Sequence, residues 1–92
     1  MVKLIKIVNP HGTKVESLTE VYVNPEHVSY IVEDEQMTNL ASQGIIFEGL
    51  NPNHKFTRVI VDTGGRTEHF TVIGGVSEIA NKLKNSKQLL RG

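Results

Sequence analysis

Short stretches of alternating apolar and polar residues run through the first three quarters of the chain and predict β-strands. Residues 2–8 are rich in valine and isoleucine, as strands are. Residues 13–23 predict a second strand, most clearly where apolar and polar residues alternate over 19–23. A third is predicted over 27–33, where simple alternation places Val28, Tyr30 and Val32 on one face.

A hairpin follows later in the chain. Residues 57–62 and 67–72 are two further strand patterns, and Thr63-Gly64-Gly65-Arg66 lies between them. A glycine pair suits this turn because tight hairpin turns require positive φ. Residues 34–56 are harder to interpret. A short strand is expected over 44–49, residues 37–43 fit either one helical turn or a strand, and Glu33-Asp34-Glu35 is expected to be a solvated run.

The last part of the chain has the spacing of a helix. Apolar residues recur at Ile79, Ala80, Leu83 and Leu90, and the pattern predicts one C-terminal helix over 77–90. Ser77 is expected to cap it. The fold class predicted is therefore α+β: mostly antiparallel β, a small barrel-like or sheet domain with one C-terminal helix.

The length of 92 residues fits one domain, 1–92, with a small core that oligomerisation would help to stabilise. The chain has no cysteine, which excludes disulfides and thiolate metal sites. Ten basic residues balance ten acidic ones, so nucleic-acid and membrane-surface binding are not expected. The beginning of the chain resembles neither a signal peptide nor a membrane span, and a cytoplasmic location is expected.

The charges fall in blocks. Residues 15–54 contain acidic residues but no lysine or arginine, whereas residues 1–14 and 79–92 contain only basic ones. One interpretation is solubility together with compensation of the helix dipole. The other is head-to-tail pairing of copies, acidic middle against basic ends.

Two blocks of the sequence carry a family resemblance. The first is Val21-Tyr22-Val23-Asn24-Pro25-Glu26-His27-Val28-Ser29-Tyr30-Ile31. The second is Thr57-Arg58-Val59-Ile60-Val61-Asp62-Thr63-Gly64-Gly65, followed by Phe70-Thr71-Val72 and Ser77-Glu78-Ile79-Ala80. In this order they resemble the FlbD-like flagellar and swarming-motility proteins and similar small phage and prophage proteins. The resemblance covers about half of the chain, which carries about 20 extra residues between the blocks. It implies a compact β domain with a terminal helix that acts by binding and has no catalytic residues.

Gly74, Gly75 and Ser77 form the best local candidate for anion binding. They precede or begin the predicted helix, where backbone N–H groups are unpaired and glycine lets an anion approach. The alternative is a tight strand-to-helix turn with a serine cap. Arg58 and Arg66 on the hairpin add guanidinium groups that suit phosphate or carboxylate, unless they are simply solvated.

The remaining candidates are weaker. Tyr30 is a candidate for stacking on a planar ligand, although this tyrosine, Tyr22, Phe47, Phe56 and Phe70 are interpreted first as core residues. His11, His27 and His54 follow Asn-Pro turns and would form a metal site only if the turns met, so no metal and no cofactor are expected. No motif assembles a nucleophile with a base.

The sequence therefore predicts a non-enzymatic binding module. The sharpest version is a homo-oligomer, in a phage or accessory context, that sequesters a small anionic, nucleotide-like signalling ligand at Arg58, Arg66, Gly74, Gly75, Ser77 and Tyr30. One alternative is a regulatory protein that binds or inhibits a host protein. A further alternative is a small nucleic-acid-binding barrel.

Overall fold

The computed structural model describes residues 1–8, 17–42 and 54–91, and for residues 17, 40–42 and 86–91 it describes the backbone alone. The described elements are five strands, two α-helices and a short 3-10 turn. In chain order they are β1 (Val2–Val8), β2 (Ser17–Val23), the 3-10 turn (Pro25–His27), β3 (Val28–Glu33), α1 (Glu35–Ser42), β4 (Phe56–Asp62), β5 (Thr67–Ile73) and α2 (Val76–Arg91).

The five strands form one antiparallel sheet in the order β2-β1-β5-β4-β3. The sheet is open, with β2 and β3 at its two edges. The predicted α+β class, mostly antiparallel β with a C-terminal helix, is confirmed. Of the two arrangements expected, a barrel or a sheet, the described strands adopt the sheet.

The hairpin lies where the sequence predicts it. β4 pairs with β5 along its whole length, from Phe56 opposite Ile73 to Asp62 opposite Thr67. In the turn the N–H of Thr63 donates to the carbonyl of Arg66 over 2.9 Å. Gly64 and Gly65 have φ of 68° and 95°, a conformation that other residues rarely adopt. The glycine pair is therefore required by the turn.

The C-terminal helix begins one residue earlier than predicted. α2 starts at Val76, and the carbonyl of Gly75 accepts the hydrogen bond of Ile79 N over 3.0 Å. Gly75 therefore occupies the cap, and Ser77 lies within the first turn, which corrects the prediction of a serine cap. No helix among the described residues is long and apolar enough to cross a membrane.

One face of the sheet, which we call the helix face, packs against α2. Its buried residues are contributed by four strands and the helix: Val2, Leu4, Val23, Val59, Val72 and Ile79. Full burial of such side chains contributes roughly 1.5–3 kcal/mol each before the entropy of ordering is subtracted. This cluster is the main core of the described part of the chain.

The opposite face of the sheet is partly covered by α1. Phe56 alternates with Thr57 along β4 and points away from α2; Phe56, Met37 and Ile7 are buried. Phe56 N donates to the Thr38 hydroxyl of α1 over 3.3 Å, which ties the helix to this side. Residues 37–43 therefore belong largely to a helix, not a strand. The strand expected over 44–49 lies outside the described residues.

An irregularity in β3 changes which side chains face α2. Val28 pairs with Val61 and Tyr30 pairs with Ile60, so two residues of β3 stand against one of β4 at Ser29. A bulge of this kind breaks the simple alternation of faces. Val28 remains beside the core on the helix face, whereas Tyr30 pairs with Ile60 of the opposite face and, at the sheet edge, also borders a depression beside α2. The expectation that Val28, Tyr30 and Val32 share a face is therefore wrong.

The expectation that Tyr22 and Tyr30 are core residues is also wrong. Tyr30 is 58% exposed and Tyr22 is 60% exposed, so neither is a core residue. Both lie on the edge strands β2 and β3, which have a neighbouring strand on one side only among the described elements. Phe56 is fully buried and Phe70 is half-buried, as expected, and Phe47 lies outside the described residues.

Candidate functional site

The half of the α1-bearing face that no described element covers forms a shallow groove of about 210 Å³. We call it the binding face. It is lined by Tyr30, Val32, Arg58, Ile60, Thr67 and His69. These residues occupy alternate positions on β3, β4 and β5, which is how side chains of neighbouring strands reach the same side of a sheet. The groove combines aliphatic, aromatic and cationic side chains.

A buried carboxylate lies beneath one end of the binding face. Asp34 follows β3 directly, and its Oδ1 accepts from the N–H of Met37 over 3.0 Å, so it caps α1. Its Oδ2 accepts from the Thr71 hydroxyl over 2.7 Å. The backbone N–H of Asp34 donates to Phe56 O over 2.9 Å. One residue thus ends a strand, begins a helix and joins them to β4 and β5.

Arg58 forms an ion pair with this carboxylate. Its Nη2 lies 3.6 Å from Asp34 Oδ2; the Arg58 side chain is 35% exposed and that of Asp34 is 1% exposed. The Nε of Arg58 is buried and has no hydrogen-bond partner among the described residues. A guanidinium offers five N–H donors in a planar fork. The structure therefore presents a partly exposed cation, paired with a buried carboxylate, at the edge of a groove.

Tyr30 and His69 stand on either side of Ile60, the next residue along β4 from Arg58 on the same face. Arg58 pairs across the sheet with Val32 of β3 and with Thr71 of β5, so Tyr30 and His69 are each two residues along the neighbouring strands on the same face. Tyr30 is more than half exposed and leaves a ring surface available to a planar ligand. The structure thus brings together two of the six residues predicted from sequence, Arg58 and Tyr30.

Arg66 lies elsewhere. It belongs to the turn beyond Asp62, whereas Gly74 follows the far end of β5. The six residue steps of β4 separate the two ends of the hairpin by roughly 20 Å. Arg66 is exposed and its Nε lies 4.0 Å from Glu68 on the same hairpin. Within one chain, Arg66 therefore does not combine with the turn at Gly74 and Gly75 as the sequence suggested.

The turn at Gly74 and Gly75 is joined by hydrogen bonds to residues at the start of β4. Gly74 has φ of 127°, its N–H donates to Lys55 O over 2.8 Å, and its carbonyl accepts from the Thr57 hydroxyl over 2.7 Å. The carboxylate of Glu78 folds back over Gly74, occupying the space where a Cβ would stand. An acceptor at this position disfavours a bound anion.

A second carboxylate lies close to the same turn. Glu33 and Lys55 line a small depression together with Gly75 and Ser77, so its two charged side chains have opposite signs. The structure therefore favours the strand-to-helix turn as the role of Gly74 and Gly75. It does not place Ser77 beside Arg58, which lies on the binding face.

The histidines do not assemble into a metal site within the described residues. His27 is exposed, and His54 is half-buried with an Nδ1 that has no partner among the described residues. His11 lies outside the described residues. Among the residues that the structure describes, no three His, Cys, Asp or Glu side chains are placed to hold a metal ion.

Sequence reasoning missed Asp34. The run Glu33-Asp34-Glu35 was expected to be solvated, but Asp34 is buried and Glu33 and Glu35 are exposed. The usable signal was the helix that follows. Asp is a favoured cap, Glu35 suits a first helical turn, and Met37 supplies the apolar residue that is buried beneath. The partners Thr71 and Arg58 depend on strand pairing and have no local signal.

Comparison with known proteins gives no further guide to the site. No family model matches this chain, and neither a curated protein nor a solved structure matches it. The resemblance to FlbD-like proteins therefore stays a prediction, and the candidate site rests on its own geometry.

Proposed function

We propose that this protein is a non-enzymatic binding module that holds a small anionic, nucleotide-like ligand on the binding face. The observation that carries the proposal is Arg58, which is paired with the buried Asp34 and still partly exposed in the groove that Tyr30 also lines. An arginine whose orientation is set in advance loses less freedom when it binds an anion.

The ligand class follows from the pair of side chains. Guanidinium groups bind phosphate through two parallel hydrogen bonds. Exposed tyrosine rings stack on nucleobases irrespective of sequence. Val32 and Ile60 supply apolar surface between them. The groove is smaller than the roughly 300 Å³ at which ligand pockets commonly begin, so it suits part of a nucleotide, a phosphate with one ring, rather than an enclosed ligand.

Sequestration is the mode of action proposed. The ligand is captured stoichiometrically and released unchanged, as a phage or accessory protein would act on a signalling nucleotide. This context rests on the small size of the chain and on its resemblance to small phage and prophage proteins. A cytoplasmic location belongs to the same proposal.

Calorimetric titration tests the proposal, with mononucleotides, cyclic nucleotides, the parent nucleosides and inorganic phosphate as probes. We expect saturable binding of at least one nucleotide, weaker binding of its nucleoside, and recovery of the intact nucleotide by mass spectrometry. Arg58→Gln should weaken binding by tenfold or more, since a charge-assisted hydrogen bond contributes about 1.5–3 kcal/mol. Arg66→Gln is the matched control because it removes the same charge from the exposed turn.

Three results would reject the proposal. If no nucleotide binds, or if both arginine variants weaken binding equally, the binding face is not the site. If a cleaved or transferred product is recovered, the protein is an enzyme. Thermal unfolding of each variant separates a loss of binding from a loss of folding.

A protein partner is the second candidate function. It is favoured by the opposite edge of the sheet, where Leu18 and Tyr22 of β2 are 39% and 60% exposed. Exposed aromatic side chains on an unpaired edge strand are typical of surfaces that bind proteins. Tyr22→Lys should then abolish capture of a defined partner and leave nucleotide binding unchanged.

A further inference from the structure

Within the described part of the chain, the outer edge of β3 lacks most of the features that usually prevent edge strands from pairing. β3 is the last strand of the sheet, and no described element pairs with its outer side. Its sequence, VSYIVE, has no proline and no lysine. Tyr30 and Val32 are exposed, at 58% and 42%. The bulge lies at the start of the strand, and residues 30–33 pair regularly with β4.

The hydrogen bonds within the sheet show which backbone groups face outward. Asp34 N donates to Phe56 O, so the alternation of an antiparallel ladder directs the backbone groups of Val32 and Tyr30 towards β4 as well. The N–H and carbonyl groups of Ile31 and Glu33 then point to the free edge. No described element pairs with them, so they can accept another strand.

We propose that two copies of this chain pair through their β3 strands, antiparallel and about a two-fold axis at Ile31. Two identical strands related by such an axis form a self-complementary interface. The Ile31 residues of the two copies exchange both of their outward hydrogen bonds. The two sheets become one sheet of ten described strands.

This register matches side chains on the binding face. Counting outward from Ile31, Tyr30 of each copy stands opposite Val32 of the other. Pairs of an aromatic and a β-branched residue are favourable across antiparallel strands. The two binding faces meet at the axis, and each copy contributes Tyr30 and Val32 to the border of the other's groove. The small groove of one chain becomes half of a longer one.

The register also matches charge on the helix face. Glu33 of one copy stands opposite Ser29 of the other, beside an apolar groove of about 350 Å³ between β3 and α2. Val28, Ile31 and Leu83 line this groove, and Lys84 is its only charged lining residue among those described. Glu33 of the second copy therefore approaches Lys84, and no two like charges oppose one another.

Sedimentation equilibrium of the ligand-free protein, from micromolar to millimolar concentration at low salt, tests the proposal. We expect a reversible dimer of twice the 10.2 kDa chain mass. Lys84→Glu should raise the dimer dissociation constant roughly tenfold, because two symmetry-related contacts each change from attraction to repulsion. Lys82→Glu is the matched control, an exposed lysine of α2 that does not line the groove.

A charge-swapped double variant tests the proposed pairing register of the two β3 strands. Glu33→Lys should weaken the dimer as Lys84→Glu does, and the double variant E33K/K84E should restore it. Circular dichroism checks that each variant folds; both residues are exposed. The proposal is overturned if the wild-type chain stays monomeric at millimolar concentration, if K82E weakens the dimer as much as K84E, or if the double variant is no better than the single ones. Since no ligand is present, the outcome is independent of nucleotide binding.

Discussion

The guanidinium of Arg58 lies 3.6 Å from the buried carboxylate of Asp34, across the boundary between the open groove and the interior. The acidic partner is inaccessible to solvent, while the basic partner keeps a third of its surface exposed. Such an ion pair adds little net free energy of folding, because the cost of burying the carboxylate offsets the attraction between the charges. Its main effect is to favour one position of the arginine side chain. The cluster thus links the stability of the fold to the geometry of the site.

Removal of the Asp34 carboxylate should be strongly destabilising. Asp34→Ala removes the cap of α1 and leaves the Thr71 hydroxyl and Arg58 without this acceptor. We expect a loss of about 3–5 kcal/mol, measured by urea unfolding. Asp62→Ala, an exposed aspartate at the other end of β4, should change stability by less than about 0.5 kcal/mol. Equal effects of the two variants would contradict the role given to the buried cluster.

Thr71 should matter for its hydroxyl and not for its shape. Thr71→Val keeps the volume of the side chain and removes the donor to Asp34 Oδ2, so the expected loss is about 1–2 kcal/mol in urea unfolding. Thr67→Val on the same strand is the control, because Thr67 is exposed and should change by less than about 0.5 kcal/mol. Combined with Asp34→Ala, the Thr71 variant should cost little more. Full additivity of the two losses would show that the hydrogen bond is not formed.

The adjacent glycines before α2 should respond very differently to alanine. At Gly74 a Cβ would meet the Glu78 carboxylate, and it would lie 3.0 Å from Ile79 Cδ1, with φ of 127°. At Gly75 the nearest atom is Lys55 Cδ at 3.8 Å, an ordinary contact. Gly74→Ala should lower the thermal midpoint, with a cost of about 2–4 kcal/mol, and Gly75→Ala should cost less than about 1 kcal/mol. A reversed order would be incompatible with this turn.

The two exposed tyrosines separate stacking from general surface effects. Tyr30→Leu should weaken binding of the responsive nucleotide by about 5- to 100-fold, since stacking on an aromatic side chain contributes roughly 1–3 kcal/mol. Tyr22→Leu removes an equally exposed ring at the opposite edge of the sheet and should leave the affinity unchanged. Calorimetric titration measures both. An unchanged affinity in the Tyr30 variant would remove the ring from the proposed site.

Local patterns were sufficient for the strands and for the long helix. The glycine pair at the hairpin, the β-branched residues of β4 and the apolar spacing of α2 are signals contained within a few residues. The site depended on relationships that such patterns do not contain. Arg58 was identified as a candidate by its residue type. Its partner Asp34 lies 24 positions earlier and meets it only after β3 has paired with β4.

The failures at Tyr30 and Arg66 have related causes. Alternation assigns faces correctly only while the strand has no extra residue, and the bulge at Ser29 breaks that condition. Arg66 and Gly74 are eight positions apart in sequence, yet an extended strand holds them at opposite ends of a hairpin. Proximity along the chain was a poor guide to proximity in the sheet.

Ser29 makes β3 one residue longer than the stretch of β4 against which it is laid. In a regular strand, losing one residue turns every following side chain to the other side. Here the opposite holds: without Ser29, Val28 would precede Tyr30 directly, and both would keep the orientations they have now. The strand that borders the groove thus has one position, Ser29, where a residue can be lost or gained. The side chains before and after it would stay on the same faces of the sheet.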